Sequence, residues 1–310
     1  YRRQRQMCIR DSLYTTASDI ISAAADSNSY SVTKQTNDFG YPIVKATSDS
    51  ALIALDYVKQ YSNITFKSYD DPARIVITSK WDEIDSATVS KSTQVRVKGG
   101  IKSPILKEVK KDDKITILDS GDKWDKVATE DGVIGYIKRK ALSESKKTKL
   151  TNPDYEEETF THIKKDKDIC LAWNQVTSQS ANSKVPQVIS STKGINVMSP
   201  TWFYLNDNNG NLADIASKDY VSYCHSQGIE VWGLFSNLEN TDVDAAYVLT
   251  HTSTRTTLIN QIMSAAFNYE LDGVNIDFEN ITEAAYGDSY IEFIRELAIK
   301  CHNTVSYTHL

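Results

Sequence analysis

No stretch of 18 or more apolar residues occurs in this 310-residue chain, so no segment reads as a membrane-spanning helix. Charge of one sign is nowhere concentrated either. The 35 lysines and arginines are interleaved with 41 acidic residues, and no basic stripe stands apart, which leaves nucleic-acid binding without an electrostatic footprint. Cysteine is sparse: Cys8, Cys170, Cys224 and Cys301 are too scattered for a zinc pair or a redox dithiol. They read as small apolar fillers, not as a disulfide scaffold. His162, His225, His251 and His302 show no ligand spacing, so no metal is expected, and nothing calls for another cofactor. The chain begins without the apolar leader of a secretory signal, and no internal repeat is evident.

Aromatic residues are what the chain does have. Its 17 tyrosines and 5 tryptophans offer flat faces that suit β-rich modules and sugar stacking alike. Both ends are set aside from fold reasoning: 1–12 (YRRQRQMCIRDS) and 305–310 (VSYTHL) resemble translated sequencing-adapter sequence. The expectation is a fragment, with an export signal upstream and further chain downstream.

Between those ends the composition changes several times. Residues 13–86 read as a small α+β module, with helical spacing over Ala51–Gln60, a strand at Arg74–Thr78 and a turn at Asp70-Asp71-Pro72. Residues 87–144 alternate short β-prone runs with turns: Thr93–Val97, Ile105–Val109, Lys114–Leu118, Trp124–Ala128 and Val133–Lys138. Asp131-Gly132 favours a tight hairpin, and five such runs in about sixty residues predict a small barrel. Residues 145–161 are nearly devoid of apolar side chains and switch from basic to acidic, as a solvated tether does.

From 162 to 304 strand and helix patterns alternate. Apolar runs of strand length lie at Ile169–Val176, Ile195–Leu205, Glu230–Phe235 and Gly273–Ile281. Helical patterns lie at Ser217–Gln227, with Ser217 as N-cap and Gly228 beyond its end, around Leu258–Phe267, and at Asp288–Asn303, with a Ser289–Glu292 capping box. Strands buried on both faces and separated by helices predict a parallel β/α architecture. Four units are visible in about 140 residues, whereas a (β/α)₈ barrel takes about 250, so an incomplete TIM barrel is expected.

The chemistry lies on the fourth of those strands. In Leu271-Asp272-Gly273-Val274-Asn275-Ile276-Asp277-Phe278-Glu279-Asn280, alternation puts Asn275, Asp277 and Glu279 on one face and Val274, Ile276 and Phe278 on the other. Enclosing two carboxylates side by side is costly unless function requires it, and the C-terminal end of a barrel strand is where active sites form. Trp173 and Trp202 fall near the C-terminal ends of the first two strands, and Asn237 just past the third. These three are the candidate sugar contacts, with core packing or a plain loop position as the competing reading.

The pattern Asp272-Gly273-x-Asn275-x-Asp277-x-Glu279 resembles the DGxDxDxE signature of family 18 glycoside hydrolases, and the resemblance extends over Ile163–Asn303. It departs from that signature at Asn275, which is Asp in chitinases and is familiar as Asn in spore-cortex and cell-wall members. It departs again at the third strand, where VWGLFSN replaces the chitinase SxGG pattern. The resemblance implies retaining, substrate-assisted hydrolysis of β-1,4 bonds at N-acetylglucosamine, outside the usual two-carboxylate scheme. Glu279 would then be the general acid and Asp277 would hold the substrate acetamido group, with Asp272 and Asn275 orienting Asp277. Residues 87–144 resemble a bacterial SH3 domain, which implies docking to peptidoglycan, and 13–86 resemble a copper-amine-oxidase-N-like domain, whose name implies no copper. Together these resemblances predict an extracellular or cell-wall glycosidase acting on peptidoglycan or a related glycan. The alternatives are a non-catalytic wall-binding protein on the same scaffold, and a chitinase.

Overall fold

The structure, a computed structural model, describes residues 11–160, 165–282 and 286–304. The chain divides into two compact units, one formed by Tyr1–Leu52 with Glu158–Leu310 and the other by Ile53–Glu157. In chain order, β1 (Asp11–Thr15), β2 (Ile20–Ala24), β3 (Ser29–Val32) and β4 (Gln35–Asp38) form an antiparallel meander. Asp11 and Ser12 take part in it, pairing with Ala24 and Ala23, although the sequence put them in the terminal segment set aside. β5 (Val44–Ala46) pairs with β6 (Ala51–Ile53), and α1 covers Leu55–Tyr61. The helix read over Ala51–Gln60 is therefore only half realised. Ala54 at the N-cap has no side-chain oxygen for the first turn, and the residues before it extend alongside β5.

Within Ile53–Glu157, β7 (Thr65–Asp70) and β8 (Ala73–Thr78) form a hairpin around the Asp71-Pro72 turn. Seven further strands make one antiparallel sheet: β9 (Glu83–Thr88), β10 (Thr93–Arg96), β11 (Ile105–Val109), β12 (Lys114–Asp119), β13 (Trp124–Thr129), β14 (Ile134–Lys138) and β15 (Lys146–Lys149), ordered β11-β10-β14-β13-β12-β9-β15. The hairpin between β13 and β14 turns at Gly132, whose φ of 80° is cheap only for glycine. Val89, Val95, Val109, Ile115, Val127 and Ile137 are all buried, which is the alternation expected of a sheet with one dry face. β15 corrects the tether reading. Its lysines and threonine show no hydrophobic signal because it is an exposed edge, held to β9 by backbone pairing and by a 2.6 Å bond between the Ser86 and Thr148 hydroxyls.

One carboxylate in this unit makes its stability pH-dependent. Asp131, in the hairpin turn, accepts from Arg74 at 2.5 Å and from Lys107 at 2.6 Å. Burial by itself would push its carboxyl up, but hydrogen bonds from Lys107 and Thr129 and the Lys107 charge hold it below the usual carboxylate value. A carboxyl whose folded pKa is depressed adds stability that is complete above its unfolded pKa and lost as pH falls through the folded one. Protection factors of the β12–β14 amides, with the intrinsic pH dependence of exchange divided out, are accordingly expected to fall as pH drops below the unfolded carboxylate value, and Asp131→Asn to flatten that response. An unchanged acid response in the variant would exclude Asp131 as its source.

The other unit contains the parallel sheet. β16 (Leu171–Asn174), β17 (Val197–Leu205), β19 (Glu230–Ser236) and β20 (Gly273–Asp277) run parallel in that order, with β18 (Leu212–Asp214) antiparallel on β17. α2 (Val185–Ser190), α3 (Lys218–Ser226), α4 (Ala245–Thr250), α5 (Thr252–Tyr269) and α6 (Gly287–Thr304) connect and flank them. All four strands and the α3, α5 and α6 helices fall where the periodicity places them. α3 has the ends its sequence predicts: Ser217 accepts from the Tyr220 amide, while Gly228 (φ 71°) and Ile229 donate to the His225 and Cys224 carbonyls. α6 begins at Gly287, so Ser289 lies inside its first turn and not at the cap of a Ser289–Glu292 box.

The core between sheet and helices is built from one face of each strand. Met198, Val231, Phe235 and Val274 point into it, against Leu258 and Ile262 of α5 and Phe293 and Leu297 of α6. Burying side chains of this size stabilises by roughly 1.5–3 kcal/mol each. Cys224 and Cys301 fill this core as expected, whereas Cys170 is exposed just before β16. Cys8 and His162 lie outside the described residues.

Candidate functional site

Register decides which side chains meet on the opposite face of the parallel sheet. Trp173 of β16 is level with Ser199 of β17, Leu234 of β19 with Asn275 of β20, and Ser236 with Asp277. The Asn275 amide donates to the fully buried Ser199 hydroxyl at 3.0 Å. β19 lies between those two strands, so they are about 9.5 Å apart, and two short side chains can bridge that gap only over the concave side of a curled sheet.

Of the two carboxylates, Asp277 ends β20, and Glu279 lies beyond the strand, which stops four residues short of the predicted Ile281. The alternation nevertheless continues. Phe278 is buried and stacks on Phe293 of α6 (centroids 5.6 Å apart), while Asp277 and Glu279 on either side of it are exposed. Both acids are thus exposed, not enclosed side by side as the strand pattern predicts. Three residues past the end of the strand, Asn280 adopts φ 59°, a left-handed conformation that Asn tolerates better than most residues. Tyr290 of α6 lies close enough that burial first, and then the Asp277 charge, push its phenol up.

Asp272 is elsewhere. Its carboxylate accepts from the Val231 amide at 2.8 Å and lies 2.8 Å from His225 Nε2, at the N-terminal end of β20. Asp272 therefore pins the start of β19 and the end of α3, and does not reach Asp277. A run of residue letters cannot separate these roles, because Asp272 shares the sequence signature while standing at the opposite end of the strand.

The sugar-contact candidates separate clearly. Trp173 is 70% exposed on the Ser199 side of the sheet, where a ring can stack on a ligand. Trp202 is wholly buried in the core: its indole donates to Asn182 Oδ1 at 2.8 Å and its ring meets Tyr220 edge-on at 4.9 Å. It lies on the Met198 face, and a bulge in β17 between Thr201 and Phe203 turns Phe203 to that face as well. Asn237 spends its amide on the main chain of Glu279. Its Oδ1 accepts from the Glu279 amide at 2.8 Å and its Nδ2 donates to the Glu279 carbonyl at 3.1 Å.

Two polar residues at this end of the sheet went unrecognised in the sequence. The Ser236 hydroxyl, in register with Asp277, donates to Glu239 in the loop after β19. The signal available was a serine at an otherwise apolar strand position. Among the described residues no group of three His, Cys, Asp or Glu side chains is placed to hold a metal ion, and no helix is long and apolar enough to cross a membrane.

No protein-family profile matches the chain, and no curated protein matches it in sequence. Solved structures do resemble part of it. The C-terminal domain of a Desulfitobacterium hafniense protein named as a chitinase is 20% identical, with a TM-score of 0.39 over 44% of this chain and 43% of that one. A chitinase of Chromobacterium violaceum is 17% identical, with a TM-score of 0.36 over 44% and 43%. The spore cortex-lytic enzyme SleL of Bacillus megaterium is 18% identical, with a TM-score of 0.36 over 43% and 32%. The chain spans less than half the length of each of these proteins.

Proposed function

We propose that the chain carries the acid-bearing part of a retaining glycosidase of the family 18 type, acting on β-1,4 bonds at N-acetylglucosamine in peptidoglycan or a related glycan. One observation carries the reading: Asp277 and Glu279 stand exposed at the C-terminal end of a parallel strand, on either side of Phe278, which is buried against α6. Glu279 would protonate the leaving glycosidic oxygen and then activate water. Asp277 would accept from the acetamido N–H, so that the acetamido carbonyl oxygen attacks the anomeric carbon from within the substrate, with the advantage of proximity. Asn275, held by Ser199, supplies a neutral neighbour where a third acid would otherwise stand. Trp173 would stack on a sugar ring.

The Ile53–Glu157 unit fits a wall-docking role, with the SH3-like strands of 87–144 contacting peptidoglycan and the protein acting outside the cell. The test uses the protein expressed from its complete reading frame, with soluble peptidoglycan glycan strands as substrate. New reducing ends should appear, and NMR of the first products should show the β anomer before mutarotation. Absence of release, or an initial α anomer, would overturn the reading.

A further inference from the structure

Asn237 touches Glu279 only through the main chain, yet it uses both ends of its amide to do so. That reciprocal pair fixes the two backbone atoms that flank the carboxylate-bearing carbon, at the point where β20 has already ended. On the far side the Tyr286 hydroxyl donates to the Asn280 carbonyl at 3.2 Å, so the turn carrying Glu279 is gripped from both directions. The Asn237 loop is itself anchored. Asn240 Nδ2 donates to the Asn206 carbonyl at 2.8 Å, and the Asp244 amide donates to Asn208 Oδ1 at 2.7 Å. A chain of side-chain-to-backbone bonds thus runs from the loop after β17, through the loop after β19, to Glu279.

We infer that Asn237 is a positioning residue for Glu279, acting on the acid through its backbone and not on the sugar. The inference rests on the glycosidase reading for its catalytic consequence, but its structural part stands separately. A carboxyl beyond the end of its strand has no ladder bonds to hold it, and small misplacements of a reacting group cost rate steeply. Aspartate at 237 keeps the acceptor for the Glu279 amide and loses the donor to its carbonyl; alanine loses both.

The experiment uses the protein from its complete reading frame with soluble glycan strands. Asn237→Ala is expected to lower kcat by about 30- to 100-fold with KM within about twofold, and Asn237→Asp to recover part of the loss. In a Glu279→Gln background, Asn237→Ala should cost nothing further, because there is no acid left to place. Hydrogen exchange of the Glu279 amide, followed by mass spectrometry of the β20 peptide, should quicken in Asn237→Ala whether or not the substrate is turned over. A raised KM with unchanged kcat would make Asn237 a sugar contact and overturn the inference. So would equal losses in both backgrounds, or unaltered exchange at Glu279. If instead Glu279→Gln retains turnover while exchange responds as expected, the glycosidase assignment fails and the clamp stands.

Discussion

On the glycosidase reading proposed above, Glu279→Gln should lower glycan-strand hydrolysis by about 10²- to 10⁴-fold, the range that general acid–base groups supply, with affinity for the strands preserved. Glutamine keeps the shape and length of the side chain but has no proton to give to a leaving oxygen and no charge with which to activate water. The substitution does not disturb the backbone, because what holds residue 279 is the Asn237 amide gripping its N–H and C=O, and these are unchanged in the variant. Binding should also survive, since the exposed Trp173 ring and the Asp277 carboxylate remain. Rates and strand affinity measured on the same preparations decide the matter. Turnover within tenfold of the parent would remove Glu279 from the mechanism, and a matching loss of affinity would make it a binding group.

The largest expected effect on stability lies at Arg255. Arg255 is 5% exposed and Glu296 is 3% exposed, and the Arg255 Nε and Nη2 both donate to Glu296 Oε1, at 2.9 and 2.7 Å. Nη1 donates to the Leu249 carbonyl at 2.7 Å, so one side chain ties α4, α5 and α6 together. Burial pushes the Glu296 carboxyl up, and the Arg255 hydrogen bond and charge oppose that rise. Arg255→Met removes the opposition and leaves an unpaired buried acid, which should cost about 3–5 kcal/mol. A carboxyl whose folded pKa is raised still holds its proton where the unfolded chain has lost it. The variant's stability should therefore be best below the unfolded carboxylate value and decline as pH rises towards the folded one. Adding Glu296→Leu should restore most of the loss, because the unpaired acid is gone and only the Leu249 carbonyl still lacks the donor that Arg255 supplied. Urea midpoints across pH test this: a single-variant cost under about 1 kcal/mol, or no recovery in the double variant, would sink it.

Much of this was legible before any coordinates. The strand and helix alternation from Leu171 onward, the Ser217 cap, the Gly228 stop and the turn at Asp131-Gly132 all follow from period and backbone chemistry within a few neighbouring residues. The burial of Phe278 between exposed Asp277 and Glu279 fits the same rule, because side chains alternate along extended backbone. β15 was hidden, since an exposed edge strand needs no apolar residue.

Local sequence is enough to say which residues could share a strand face and where helices start and stop, because those depend on bonds made within a turn or two. The tertiary structure alone decided their duties. It sent Asp272 to His225 and Val231, put Trp202 into the core beside Asn182, and joined Asn237, a candidate sugar contact or plain loop residue, to the main chain of Glu279. Each of those partners lies between 20 and 47 residues away in the chain, and what brings them within hydrogen-bond reach is the packing of helices and loops against the parallel sheet, which no local pattern encodes.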